Sequence, residues 1–168
     1  MHVEKLMTHP AITCRSSDDL ATVAGLMWNH DCGAIVVVDN DGGHLAGMVT
    51  DRDICMAAYT QGRSLDAIPV TTAMASPVAT CRPQDSVSMA EQLMRKQQIR
   101  RVVVVDGAGH PLGVLSLNDL ARDAVARKKN GVEHDVVQTL AAICEPRSLV
   151  TRPASTPSRR PVKVQATA

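Results

Sequence analysis

Apolar positions along the chain follow two alternating periods. Leu20, Val23, Ala24 and Met27 fall three or four residues apart, which puts them on one face of a helix. Ile35 to Val38 is a continuous β-branched run, too short for a helix and suited to a strand buried on both faces. A Gly- and Asp/Asn-rich turn then leads to a second strand, Leu45 to Val49, and a second helix opens at Thr50 and runs through Ile54, Ala57 and Ala58. A short extended piece, Ala11 to Cys14, precedes all of these, so the order is β-α-β-β-α.

The same order then recurs. Val78 to Cys81 is extended, and Val87, Ala90, Leu93 and Met94 share a helix face. Val102 to Val105 and Leu112 to Leu115 read as strands, and a helix opens at Ser116 and continues through Leu120, Ala121, Ala124 and Val125. Asp18 or Ser17 is the expected cap of the first helix and Asp85 that of its counterpart. Val136, Val137, Leu140 and Ile143 predict one more short amphipathic helix.

The recurrence is a duplication. A shift of 67 lays Met7–Asp39 on Met74–Asp106, and twelve of the 33 positions are identical, among them Met7, Pro10, Thr13, Cys14, Arg15 and Val36 to Asp39. Unrelated segments would share about two. One residue of slippage in the turn then aligns Gly47 with Gly113, Thr50 with Ser116 and Asp53 with Asp119. A half of about 60 residues is marginal alone, so the two copies are expected to share one folding unit.

Composition narrows the chemistry. The 168 residues include no Phe, one Trp and one Tyr, so the core is aliphatic and the stacking platforms of single-stranded nucleic-acid binders are absent. All 17 acidic residues lie at or before Glu145, while five of the 18 Lys and Arg follow it. The tail therefore carries +5 and the rest, with thirteen cations, −4. From Pro146 on, Pro, Ser, Thr and Arg without apolar periodicity predict disorder. Five cysteines without CxxC spacing read as thiols in a reducing cytoplasm, and no apolar run approaches a membrane span.

The most informative motif is Gly47-Met-Val-Thr50-Asp-Arg-Asp53, repeated as Gly113-Val-Leu-Ser116-Leu-Asn-Asp119. A hydroxyl followed three residues later by an acid is a helix capping box. The same geometry offers a helix N-terminus to a phosphate and an acceptor carboxylate to a ribose diol. Only the second copy adds a basic pair, Arg100 and Arg101, where the first has Gly33 and Ala34. Arg favours bidentate contact with phosphate.

Taken together, Val3 to about Ala126 resembles a tandem CBS-domain pair, or Bateman module. The matching features are the Met-x-x-Pro starts at Met7 and Met74, the strands ending in Asp39 and Asp106, and Gly-h-h-[Thr/Ser]-x-x-Asp in both copies, where h is apolar. Ile99-Arg100-Arg101 also resembles the Ile-His-Arg stretch of the nucleotide-sensing gamma subunit of AMP-activated kinase. Val136 to Pro146 is similar to the end of stand-alone bacterial hypoxia-response CBS proteins. Many members carry Pro where this chain has Val36 and Val103, a departure that touches packing.

The resemblance implies an α/β fold in which two β-α-β-β-α repeats pack as a pseudo-twofold module. Residues 1–64 are the first repeat, 65–130 the second, 131–145 a C-terminal helix and 146–168 a disordered basic tail. It implies a cytoplasmic, non-catalytic signal-transduction and energy-sensing module that requires no cofactor. Its clefts bind AMP, ATP, NAD or S-adenosylmethionine as a regulatory ligand. Thr50 and Ser116 would touch phosphate or ribose, Asp53 and Asp119 the ribose, Arg100 and Arg101 the phosphates, and the strands at Thr13 and Thr80 the adenine. A homodimer formed through the helices is implied too, with Met27, Met89 and Met94 as candidate contacts, together with a regulated protein partner.

Two rivals stand beside this reading. Cys14 and Cys81 are repeat-related and His30-x-Cys32 could add ligands, which would suit a thiol- or metal-based redox or stress sensor. Nucleic-acid binding rests on the basic tail alone. No nucleophile with a base is evident, and the six histidines follow no metal-ligand spacing.

Overall fold

The computed structural model describes residues 1–127 and 132–145. Its elements follow the order read from the periodicity. β1 (Thr13–Arg15), α1 (Leu20–Asn29), β2 (Ala34–Val38), β3 (Leu45–Thr50) and α2 (Asp51–Gln61) form the first half. β4 (Thr80–Cys81), α3 (Val87–Gln97), β5 (Arg101–Val105), β6 (Pro111–Ser116) and α4 (Leu117–Arg127) form the second, and α5 (Val132–Cys144) follows. Each half is a three-stranded sheet, β1-β2-β3 or β4-β5-β6, with one parallel and one antiparallel pairing. The tail from Pro146 lies outside the described residues.

Strand alternation divides the valine runs between two environments. In β2, Ile35 and Val37 enter a core with Cys14, Leu20, Val23, Ile54, Ile68 and Val70. In β5, Val102 and Val104 enter a matching core with Val3, Cys81, Met94, Leu115 and Leu120. The intervening Val36, Met48, Val103 and Val105 form a third cluster, which joins the two sheets face to face. This is why the runs are apolar at every position: one face meets helices and the other meets the opposite sheet.

The leading segment of each copy packs on the opposite half. Val3 is buried in the second core, its N–H donates to the Asp85 carbonyl, and Thr8 bridges Val114 of β6. Ile68 and Val70 are buried in the first core, and Ala75 bridges Met48 of β3. Two glycines make these crossings possible. A Cβ on Gly113 would stand 2.6 Å from the Thr8 carbonyl oxygen, and one on Gly47 2.6 Å from Met74 Sδ and 3.0 Å from the Ala75 carbonyl oxygen.

The hairpin tips meet as well. Asp39 Oδ1 accepts from the N–H groups of Gly42 and His44, and Asp106 Oδ1 from those of Ala108 and His110. The His44 and His110 rings stack with centroids 4.5 Å apart.

The first helix caps correct the sequence expectation by one residue. Asp19 caps α1, accepting from Thr22 N–H at 2.7 Å, and Ser86 caps α3, accepting from Met89 N–H. Asp18 and Asp85 instead accept from the N–H groups of Arg15 and Arg82, closing the turns that lead in. Asp-Asp and Asp-Ser each offer two capping side chains, and this turn consumes the first. Met27 and Met94 are core residues, and only Met89 of the three candidate interface methionines is exposed.

Candidate functional site

Both hydroxyl–carboxylate motifs sit where a strand hands over to a helix. Thr50 ends β3 in extended conformation and caps α2, its Oγ1 accepting from Asp53 N–H. Asp53 Oδ2 accepts in return from Thr50 N–H at 2.9 Å and Thr50 Oγ1 at 2.6 Å. Ser116 and Asp119 repeat the arrangement at α4, with 2.9 Å from Ser116 N–H and 2.5 Å from Oγ to Asp119 Oδ2. The capping box is therefore real in both copies, and it consumes one oxygen of each carboxylate.

The remaining oxygens differ. Asp53 Oδ1 accepts no hydrogen bond or ion pair among the described residues. Asp119 Oδ1 accepts from Thr8 Oγ1 at 3.3 Å and is ion-paired with the Arg122 guanidinium, and Asp119 is buried.

Arg101 opens β5 in the second half, yet its Nη2 lies 3.4 Å from where a Cβ on Gly33 of the first half would stand. Asp51 Oδ2, at the start of α2, lies 3.2 Å from the same point. Gly33 thus leaves room for a guanidinium that crosses from one repeat to the helix start of the other. Among the described residues neither Arg100 nor Arg101 has a carboxylate partner. Both also line an open depression of about 350 Å³ with Ser116, Leu117, Asn118 and Leu140.

Thr13 and Thr80 are exposed at the outer strands, opposite Val36 and Val103 in register. Register partners share a sheet face, so both threonines point toward the inter-sheet side, while Cys14 and Cys81 point into the helix-covered cores. No hydrogen bond joins either threonine to a hydroxyl–carboxylate pair among the described residues.

Burial pushes the Cys14 and Cys81 thiols up to about 11, with Asp18 and Asp85 adding to the effect. At neutral pH both are protonated and poor nucleophiles. Among the described residues no three His, Cys, Asp or Glu side chains come together to hold a metal ion.

This architecture matches a known family. The CBS domain model matches residues 3–59 and again 67–125. The chain belongs to the CBS-domain family. The CBS domain-containing protein YhcV of Bacillus subtilis is 36% identical over 129 residues, covering 77% of this chain and 89% of that one. Other curated relatives are longer, and the chain spans 60% or as little as 21% of their length. Among solved structures, the CBS domain protein PAE2072 from Pyrobaculum aerophilum, complexed with AMP, superposes with a TM-score of 0.68 at 27% identity, over 82% of this chain and 99% of that one. Hypoxic Response Protein I, with two coordinated zinc ions, has a TM-score of 0.65 at 24% identity, over 73% and 98%; this likeness is one of fold.

The CBS pair also holds residues that motif reading passed over, namely Thr8, Gly33, Asp51 and Arg122. A signal for two of them was present in the repeat itself. Arg122 aligns with Met56 and Thr8 with Ala75, so both are polar exceptions at positions where the other copy is apolar.

Proposed function

We propose that this CBS pair is a non-catalytic regulatory module that binds an adenosine nucleotide in the cleft at Thr50 and Asp53, with Arg101 of the opposite repeat on its phosphate. The observation that carries this reading is the pairing of unmet needs across the repeat boundary. Among the described residues, a half-buried guanidinium that forms no ion pair faces the N-terminus of α2 near Asp51, and one oxygen of Asp53 lacks a donor. A ribose diol supplies donors and a phosphate supplies the anion. The AMP complex of PAE2072 supports the ligand class. Arg100 lies beside Arg101 as a second phosphate contact, and Thr13 faces the inter-sheet side, where an adenine would lie.

A ligand of about 23 heavy atoms at roughly −0.3 kcal/mol per atom binds with about −7 kcal/mol, near 10 μM. Calorimetric titration of AMP and adenosine tests the roles. Arg101→Ala weakens AMP by about 1.5–3 kcal/mol and leaves adenosine nearly unchanged, whereas Asp53→Ala weakens both. Equal loss of AMP and adenosine in Arg101→Ala refutes the phosphate role. Absence of heat with AMP, ADP, ATP, NAD and S-adenosylmethionine refutes the ligand class.

The module acts as a homodimer in this reading. A groove of about 450 Å³ between α1 and α2 is lined by Met27, Trp28, Cys32 and Ile54, with Trp28 87% exposed and Met56 and Tyr59 exposed on α2. Its counterpart between α3 and α4 is where α5 packs, with Arg95 Nε donating to Thr139 Oγ1. One groove is filled by the chain's own helix, and the other is left for a second copy. The reading includes a cytoplasmic location and a partner protein that distinguishes liganded from free module. No helix among the described residues is long and apolar enough to cross a membrane.

A further inference from the structure

The duplication lets one repeat serve as a control for the other. Asp53 and Asp119 occupy equivalent positions and make the same capping box through Oδ2. They differ only in what surrounds Oδ1. On Asp119 that oxygen carries the Arg122 guanidinium and the Thr8 hydroxyl, and the side chain is 4% exposed. On Asp53 the equivalent positions are Met56 and Ala75, neither of which has a donor to offer.

A diol approaching Asp119 has to displace a charge-assisted bond and offer neutral O–H donors instead. The carboxylate is an ionised acceptor for either donor, but the guanidinium adds a full opposite charge that neutral O–H groups lack, so the exchange is uphill. Arg122 also cancels the local negative charge that makes a carboxylate a good diol acceptor. The backbone crossing is the same in both halves, Thr8 exchanging hydrogen bonds with Val114 as Ala75 does with Met48, so what Thr8 adds is its hydroxyl, fixed in place beside Asp119.

We infer that Arg122 and Thr8 close the second cleft to ribosyl ligands, so that each chain binds one nucleotide, at Asp53. The inference rests on the proposed role of the two aspartates as ribose acceptors. Arg122 and Thr8 are then specificity-determining residues, and their substitution by the residues of the other repeat converts a one-site module into a two-site module.

The test is the number of AMP molecules bound per chain, measured by equilibrium dialysis and calorimetry with the full chain. Wild type binds one, and Asp53→Ala lowers this toward zero while Asp119→Asn leaves it at one. Thr8→Ala combined with Arg122→Met, which copies Ala75 and Met56, gains a second site that Asp119→Asn removes again. The reciprocal pair Ala75→Thr and Met56→Arg, both at exposed positions, weakens the wild-type site by about tenfold, the scale of displacing one hydrogen bond between charged groups. Two sites in wild type, or one site of unchanged affinity in both exchanged variants, overturns the inference and leaves the nucleotide reading standing. No AMP bound by any variant overturns the nucleotide reading itself. Melting curves on the same samples confirm that each variant is folded.

Discussion

Gly113→Ala isolates the crossing of the N-terminal segment onto the second half. The added Cβ would stand 2.6 Å from the Thr8 carbonyl oxygen and 3.1 Å from Met7 Sδ. Met7 is a flexible side chain and yields, but the carbonyl belongs to a backbone bridge in which Thr8 and Val114 exchange hydrogen bonds of 2.9 and 3.0 Å. Relief requires the segment to shift away from β6. Overpacking of this kind costs about 1–3 kcal/mol, and weakening the two bridge bonds adds up to about 1 kcal/mol each. The unfolded chain loses entropy on Gly→Ala, which returns about 0.4–1 kcal/mol. The net expectation is a loss of about 2 kcal/mol, or a fall in Tm of about 4–8 °C for a domain of this size. At Gly47 the closest atom is the movable Met74 Sδ, with the Ala75 carbonyl oxygen at 3.0 Å, so Gly47→Ala costs less. Urea unfolding of both variants, with m values compared to wild type, measures the difference. A Gly113→Ala protein within about 0.5 kcal/mol of wild type, or one more stable than Gly47→Ala, refutes the close approach.

Glu91 is buried at the α3–α5 seam, where burial raises its pKa above the ordinary 4.5, Arg95 opposes this and Asp135 adds to it. A raised acid contributes stability that is full below 4.5 and is lost as pH rises through its folded value, so Glu91→Gln raises the urea midpoint more at pH 7.5 than at pH 4.5; a pH-independent difference contradicts this. The Asp39 and Asp106 turns have the opposite sign, with pKa values lowered by backbone donors, so what they contribute is lost only below about 3.8. If the proposed homodimer forms through the α1–α2 groove, Trp28→Arg gives a monomer in light scattering with little change in Tm, and a wild type that stays monomeric at high concentration rejects the dimer. Cys55 and Cys144 are exposed and react with a thiol reagent in the native state, whereas Cys14 and Cys81 react only on unfolding. Rapid native reaction at Cys14 would favour the thiol-sensor reading.

The order of elements was legible because it rests on local signals. The period of Leu20, Val23 and Met27, the valine runs and the Thr50/Asp53 and Ser116/Asp119 boxes each lie within a few residues of one another, and the duplication doubled every signal. The leader crossings were not legible, because Val3 and Val70 open short 3₁₀ turns and Ile68 follows one in extended conformation, with no period to read. The nearness of Arg101 to the start of α2, on which the proposed site rests, was equally hidden. That depends on how two sheets face each other, and the reach of Arg101 to Gly33 exists only once Val36, Met48, Val103 and Val105 have packed. The caps missed by one residue because two adjacent polar side chains compete for each helix start, and the choice is made by the turn before it.

The same packing bears on how the proposed regulatory module would transmit a signal. Each half has its own core of nine or more buried residues, whereas the sheets meet through four buried residues with five partly buried ones around them. The relative setting of the halves is therefore held by less buried surface than either half, and by the two crossing segments. In the proposed site a nucleotide contacts Asp53 on one half and Arg101 on the other, so its binding energy acts directly on that setting. A ligand held wholly within one half would stabilise that half and leave the other's position unchanged. Adenosine, which lacks the phosphate that Arg101 reads, is then a ligand that binds one half without tying it to the other. It should compete with AMP for the site while failing to reproduce the conformational change that AMP produces, for instance in the distance between spin labels at Cys55 and Cys144 with the other cysteines replaced by alanine. Identical label distances with saturating adenosine and AMP would place the coupling elsewhere than the Arg101 contact.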